Sequence, residues 1–443
     1  MARETARLAE FATALRYDDI PEPVLAITKA CLIDTVGVVL FGSSLPWSRA
    51  VADFARHTGA GGASTILNAA LDRVSAPAAA LANGTSAHAF ELDNLRQPSV
   101  GVHPGAGAHV AALAVAEEYN ASGRDFLTAL VAGCECMLRI GAAARQTSEH
   151  IGFHAPGLTG VFGSAVAAAR LMRLDARQIL MAIAVGGSFC SGLLAFAKAG
   201  NGGMVKRLHM GRAAEGGVTA AYLAGRGYEG PDTLLEGKFG FLDVYARDGD
   251  PALLTEGLGT RWDSLNIWFK MFPCHVTAQA PVRAMRTLAH EHGFGPREVA
   301  RIVLEAGEKV LTHHADREPH DVATAQYSVP FCLALSLYRD PADPRAFLDG
   351  PQQNPDILAL CKKVELRPLA APTSAGRRPS CRLQVTLSDG RTLAIDDTAW
   401  PDDGAERVEA KFRSLTADLP HAERLLRRLH SIENQNLAEL FAG

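Results

Sequence analysis

The chain has 443 residues, of which 48% are hydrophobic and 21% charged, and its formal net charge is −4. That length exceeds what one compact core usually holds, so two domains are expected. A weakly acidic balance with no basic stripe excludes nucleic acid as the natural partner.

The opening residues, MARETARLAEF, carry charges every few positions and lack the apolar core of a signal peptide. From there to about residue 230 nearly every segment has helical character. PEPVLAITKACLIDTVGVVLFG (21–42) opens on proline and closes near glycine, as helices prefer. Ser75 is placed to cap the next helix, with Pro77 in its first turn. RDFLTALVAGCECMLRIGAAAR (124–145) and GVFGSAVAAARLMRL (160–174) follow, and Asp175 caps ARQILMAIAVGGSFCSG (176–192). The uncharged run 179–197 has no basic flank and contains three glycines, so it reads as a buried core helix and not a membrane span. The many small residues let these helices approach one another closely.

The character changes after about residue 265. RIVLEA (301–306) is a short strand, and CRLQVTL (381–387) alternates strictly, with Leu383, Val385 and Leu387 on one face. Ser388-Asp389-Gly390 supplies a hairpin turn into RTLAI (391–395). Helices are expected over 276–292 and 323–338, and the tail from Glu406 is helical again and returns to the first domain. The expected fold is therefore mainly α. A large all-helical domain (1–265 and 398–443) carries a smaller α+β lid domain (266–397) inserted before the C-terminal helices, and a cleft between them suits a small molecule. The eight cysteines are scattered through mostly apolar segments, which reads as reduced thiols in a cytoplasmic protein.

Four polar stretches interrupt this background: ELDNLRQPSVGVHPGAG (91–107), GFHAPG (152–157), KRLHMGRAAEGG (206–217) and KMFPCHVTAQ (270–279). In the third, Lys206 and His209 lie one helical turn apart, and a helix starting near Gly211 would turn its free N–H groups toward Lys206. No Gly-x-Ser-x-Gly elbow, Walker loop or Rossmann fingerprint is evident. HEH (290–292) spaces its histidines badly for one ligand face, and HHADREPH (313–320) reads as an exposed charged turn, so no metal site is expected. What remains is histidines and an aspartate for proton transfer, with lysine, arginine and amides for anions. That set suits proton abstraction beside a carboxylate of a small polycarboxylate, the cations offsetting charge on the enediolate.

The stretches HAFELDN…HPGAG (88–107), GFHAPG, KRLHMGRAAEGG and KMFPCHVTAQAPVRA (270–284), with YSVPFCLAL (327–335) and AKFRSL (410–415), resemble the MmgE/PrpD family over nearly the whole chain. That family includes 2-methylcitrate dehydratase, cis-aconitate decarboxylase and iminodisuccinate epimerase. The resemblance implies a helical domain with an α+β lid, a homodimer, and chemistry that needs no metal or cofactor. Residue by residue, Asp93 matches the acid of the first motif and His103 the histidine before its proline. His154 matches the second motif, and Lys206 and His209 the third. His275 and Gln279 fall where branches differ: glutamine at 279 resembles the dehydratases, histidine the decarboxylases. This chain departs from the Asp-Asp-Thr-His pattern with Asp93-Asn94-Leu95-Arg96, losing an acid and gaining an arginine suited to a carboxylate.

The leading expectation is a cofactor-independent cytoplasmic hydro-lyase (a dehydratase) acting on a hydroxy di- or tricarboxylate such as 2-methylcitrate. His103 or His154 would take the proton beside a carboxylate, and the other, or Asp93, would protonate the departing hydroxyl. Arg96, Lys206, His209, Lys270, His275 and Gln279 would bind substrate. The alternatives are an isomerase or epimerase, a cis-aconitate-type decarboxylase, and a member that binds ligand without turnover. No membrane partner is expected.

Overall fold

Apolar, alanine-rich segments with proline near their starts fold as the helices their composition favours. The structure, a computed structural model, describes residues 3–98, 101–197, 203–369, 381–397 and 405–441. The chain forms two compact units. The first comprises Met1–Ala89, Asp93–Phe269 and Ala405–Gly443, and the second Phe90–Leu92 and Lys270–Gly404.

In the first unit, helices Glu22–Ser43, Ala76–Ala87, Gly123–Ala144, Ala155–Leu171, Ala176–Gly186 and Met204–Gly225 form the core. Two of them, Glu22–Ser43 and Gly123–Ala144, are long and apolar enough to cross a bilayer. Yet 72% and 94% of their apolar windows are buried inside the protein, as befits core helices. Ser122 caps the second of these by accepting from Asp125 N, and Asp175 with Gln178 forms a capping box on Ala176–Gly186. Ser75 stands at its expected N-cap position, but its side chain makes no cap hydrogen bond.

Three expected elements are corrected. The helix after Asp175 ends at Gly186, because the Gly186-Gly187 pair gives way to a 3-10 turn, Gly187–Phe189. The helix expected from 160 begins at Ala155, with Pro156 in its first turn. No helix starts near Gly211: Lys206 and His209 already lie inside Met204–Gly225, so Gly211 presents no free N–H groups. Nor is this unit purely helical. Ala60–Thr65 pairs with Arg73–Val74, and Leu95–Arg96 with Ile267–Trp268. The latter ladder ties residues 267–268 to the first unit.

In the second unit a four-stranded sheet runs Val364–Pro368, Val299–Ala306, Cys381–Leu387, Thr392–Asp397, with its first pair parallel and the others antiparallel. Leu383, Val385 and Leu387 are buried while Arg382 and Gln384 are exposed, as the alternation requires. Helix Val276–His292 packs on this sheet, and Arg283 clamps Asp397 with two hydrogen bonds of 2.9 and 2.7 Å. The helix expected over 323–338 is broken into Val322–Tyr327 and Val329–Tyr338. Pro330 cannot donate to the preceding turn, and Ser328 caps the second piece by accepting from Phe331 N.

Candidate active site

His88 ends the helix Ala76–Ala87 as its C-cap, and the chain then turns sharply through Glu91, whose φ is +56°. Asn94 fixes the loop that follows. Its Nδ2 donates to Asp34 Oδ2 at 2.9 Å, and its Oδ1 accepts from Gly105 N at 2.9 Å. Asp34 also accepts from Lys411 Nζ at 2.6 Å, so the position where a second acid was expected is a neutral brace beside a buried ion pair.

Held this way, one oxygen of Asp93 meets two imidazoles. Asp93 Oδ2 lies 2.6 Å from His88 Nδ1 and 2.8 Å from His103 Nδ1, and all three residues are buried. His103 Nδ1 is also 3.1 Å from the Asn94 carbonyl. Both of these oxygens only accept, so the proton of His103 sits on Nδ1 and its Nε2 carries the lone pair. The same logic puts a proton on His88 Nδ1. His88 Nε2, fully buried, meets no hydrogen-bond partner among the described residues.

A second imidazole pair adjoins the first. His154 occupies the N-cap position of Ala155–Leu171, its N–H donating to Gly192 O at 3.0 Å. Gly192 has φ +118°, and a Cβ there would come within 3.1 Å of His209 Nδ1, so only glycine lets the backbone pass this close. His154 Nδ1 and His209 Nδ1 are 3.0 Å apart, one donating and the other accepting. Ring centroids run 5.0 Å from His103 to His88, 5.6 Å to His154 and 5.1 Å to His209, and Phe196 sets its edge against the last two. Lys206 is buried in the first turn of the helix that carries His209.

Three of these imidazoles are neutral. Burial drives His88 down to about 3, with Asp93 opposing and Lys206 assisting. Burial, then His88 and His209, holds His154 well below the usual histidine value, and burial with Lys206 lowers His209 to about 4. Among the described residues, the site is thus a desolvated cluster in which one carboxylate and one ammonium lie beside three uncharged rings and His103.

Asp93, His103, His154, Lys206 and His209, expected from sequence, all belong to this unit, and the four imidazoles among and beside them are contiguous. His88 was missed: it lies at the end of an alanine-rich helix, and only the later Asp93 hints at it. Arg96 is not in the imidazole cluster. Its guanidinium pairs with Asp263 at 3.2 Å and with the Pro98 carbonyl. Lys270, His275 and Gln279 lie in the second unit. Lys270 pairs with Glu91 at 3.0 Å, both buried. His275 caps Val276–His292 and stacks on His314 with ring centroids 4.2 Å apart, beside Tyr327. His314 is therefore a packed, buried ring and not part of an exposed turn. Gln279 braces its own loop, accepting from Met271 N and Phe272 N and donating to the Phe272 and Cys274 carbonyls.

His88, Asp93 and His103 bring donor atoms within 4.8 Å of one another, close enough to converge on a cation. The donors face one another instead. Contacts of 2.6 and 2.8 Å from Nδ1 to Oδ2 are hydrogen bonds with a proton on each ring nitrogen, which a metal would have to displace.

The N-terminal domain model of MmgE/PrpD matches residues 6–254, and the C-terminal domain model matches residues 272–436. The chain belongs to the MmgE/PrpD family. Relatives include a cis-aconitate decarboxylase of Homo sapiens, 27% identical over 91% of this chain and 86% of its own length. Another from Aspergillus terreus is 28% identical over 95% of this chain and 91% of its own. The cis-aconitate decarboxylase-like protein oryM of Aspergillus oryzae is 26% identical over 97% and 93%. The coarse description these likenesses support is an MmgE/PrpD enzyme with a lyase-type role.

Proposed function

We propose that this protein is a lyase of small tricarboxylates, in which His103, oriented by Asp93, moves a proton at the carbon beside a carboxylate. The observation that carries this reading is the double contact of His103 Nδ1 with Asp93 Oδ2 and the Asn94 carbonyl. It fixes the tautomer and leaves Nε2 for proton transfer, while the carboxylate stabilises the imidazolium whenever the ring is charged. Lys206 holds a substrate carboxylate. The desolvated pair His154 and His209 offers a second proton-transfer and hydrogen-bonding group.

Between the two lyase reactions, decarboxylation of an unsaturated tricarboxylate is favoured over elimination of water. The relatives above are named for it, and Gln279, the residue that leaned toward a dehydratase, has its amide engaged by its own loop. In that reaction His103 first takes a proton from solvent at Nε2, becoming an imidazolium beside Asp93, and gives that proton to a vinylic carbon. The double bond shifts, the allylic C–C bond to a carboxylate breaks, and its electrons form the new alkene as CO2 leaves. Run on a hydroxy acid, the same groups would remove a proton and expel water.

Proton NMR of the purified protein with cis-aconitate, 2-methylcitrate, citrate and iminodisuccinate tests this. Loss of the cis-aconitate vinyl signal with growth of a terminal methylene supports decarboxylation, and an alkene from a hydroxy acid supports elimination. Exchange beside a carboxylate without either product would replace the lyase by an isomerase.

A further inference from the structure

The buried ring of His88 does something that the proton-transfer chemistry of His103 does not require. Its Nδ1 is held 2.6 Å from Asp93 Oδ2, the shorter of the two contacts on that oxygen, and its Nε2 is buried with no partner among the described residues. A buried ring nitrogen in that state is costly unless something complements it. The groups facing it are Asp93 from the loop after its own helix, His103 from the segment before Pro104, His154 from the start of Ala155–Leu171, and Lys206 from Met204–Gly225. His209 lies beyond His154. With His88, His154 and His209 neutral, the charges of Asp93 and Lys206 offset each other. Arg207, the other buried cation on that helix, is turned away onto the Ala89 and Gly203 carbonyls and the face of Trp47. A di- or tricarboxylate bound among these groups would bring two or three negative charges against the one ammonium found there among the described residues.

We infer that the protein binds its polycarboxylate together with one proton, and that His88 is where this proton resides. The inference rests on the reading of the site as a polycarboxylate site. The proton adds to the Nε2 lone pair, giving an imidazolium that donates from Nδ1 to Asp93 and from Nε2 to a ligand carboxylate; no bond is broken. His88 suits this better than its neighbours. It has a carboxylate at hydrogen-bond distance, whereas His154 and His209 face each other through Nδ1, and His209 also feels Lys206. His103 shares the carboxylate, but its Nε2 is the atom that reacts. His88 is thus a charge-balancing and positioning residue, acting on the ligand's ionic state and on Asp93.

The test uses the intact protein and propane-1,2,3-tricarboxylate, a saturated acid that can be neither dehydrated nor decarboxylated by allylic shift. Calorimetry at about pH 7.5 in buffers of different ionisation enthalpy should give an uptake of about one proton per ligand. Affinity should fall about tenfold for each unit of rising pH. In histidine labelled with 15N, ligand should convert one imidazole to the imidazolium pattern. That resonance is assigned by its disappearance from the ligand-free spectrum of His88→Gln, so the variant need not bind. His103→Gln should keep the proton uptake. Binding without proton uptake, or a bound state in which His88 is not an imidazolium, overturns the inference and leaves the functional reading standing. Failure of every polycarboxylate to bind overturns both.

Discussion

One carboxylate oxygen holding two imidazoles is the residue-level fact on which the chemistry turns. Asp93→Asn keeps a side chain of the same shape, but its amide lets His88 and His103 relax to the other tautomer, with Nδ1 accepting. We expect kcat to fall about 10²- to 10⁴-fold with a much smaller change in KM, measured by steady-state kinetics on the acid that is turned over. Equal losses in binding and turnover would make Asp93 a ligand for substrate instead of an orienting group. At this scale the sequence was partly legible. Asp93, His103, His154, Lys206 and His209 stood out because polar residues beside glycine and proline are conspicuous in an apolar chain. His88 was hidden by its alanine-rich helix. The sequence could not show that Arg96 and Gln279 have acidic and backbone partners of their own, because those partners are set by the fold.

At the scale of elements, the site depends on how closely the helix Met204–Gly225 approaches Ala76–Ala87. A Cβ on Gly211 would lie 2.4 Å from the Leu81 carbonyl oxygen and 2.2 Å from Thr85 Oγ1, and a backbone carbonyl cannot swing aside. Gly211→Ala should therefore destabilise the fold by about 1–3 kcal/mol, read from the urea midpoint. It should also weaken substrate binding, because Lys206 and His209 ride on the displaced helix. The helix Ala405–Leu415 makes a different contribution, bringing Lys411 to the buried Asp34. Burial raises the Asp34 carboxyl and Lys411 opposes that rise. Lys411→Met should cost about 3–5 kcal/mol, and adding Asp34→Asn should recover much of the loss; additive losses would show the pair uncoupled. Helix positions were readable from periodicity and caps. The start at Met204 was not, since Gly203 offers no capping side chain and the glycines at 211, 216 and 217 imitate a boundary.

For the whole molecule, a mainly helical fold with its four-stranded sheet in the C-terminal part followed from the change of periodicity after about residue 265. What periodicity could not show is that Phe90–Leu92 belong with the second unit while their neighbours Ala89 and Asp93 belong with the first. That assignment comes from pairings remote in sequence, Lys270 with Glu91 and Gln326 with the Phe90 carbonyl. The buried histidines also set a global pH response. Burial brings His88 to about 3 and His109 and His209 each to about 4, below the unfolded value near 6.5. Below about pH 6.5 the unfolded chain therefore binds more protons than the folded one, so stability is full above that pH and is lost as the pH falls toward 4. The raised carboxyls of Asp34, Glu117 and Glu135 oppose this. With His154 lowered as well, the histidines should prevail. Urea unfolding should show a lower midpoint at about pH 5.5 than at about pH 7.5, with a smaller difference in His109→Gln; a midpoint that rises on acidification would reverse the balance.

The most direct test of the central claim, that His103 oriented by Asp93 moves the proton, is turnover of cis-aconitate in D2O followed by proton NMR, with the unmodified protein beside His103→Gln. The account predicts loss of the vinyl signal, one deuterium on the carbon that was protonated, and no product from the variant while it still binds the tricarboxylate. Undiminished product from His103→Gln would contradict it.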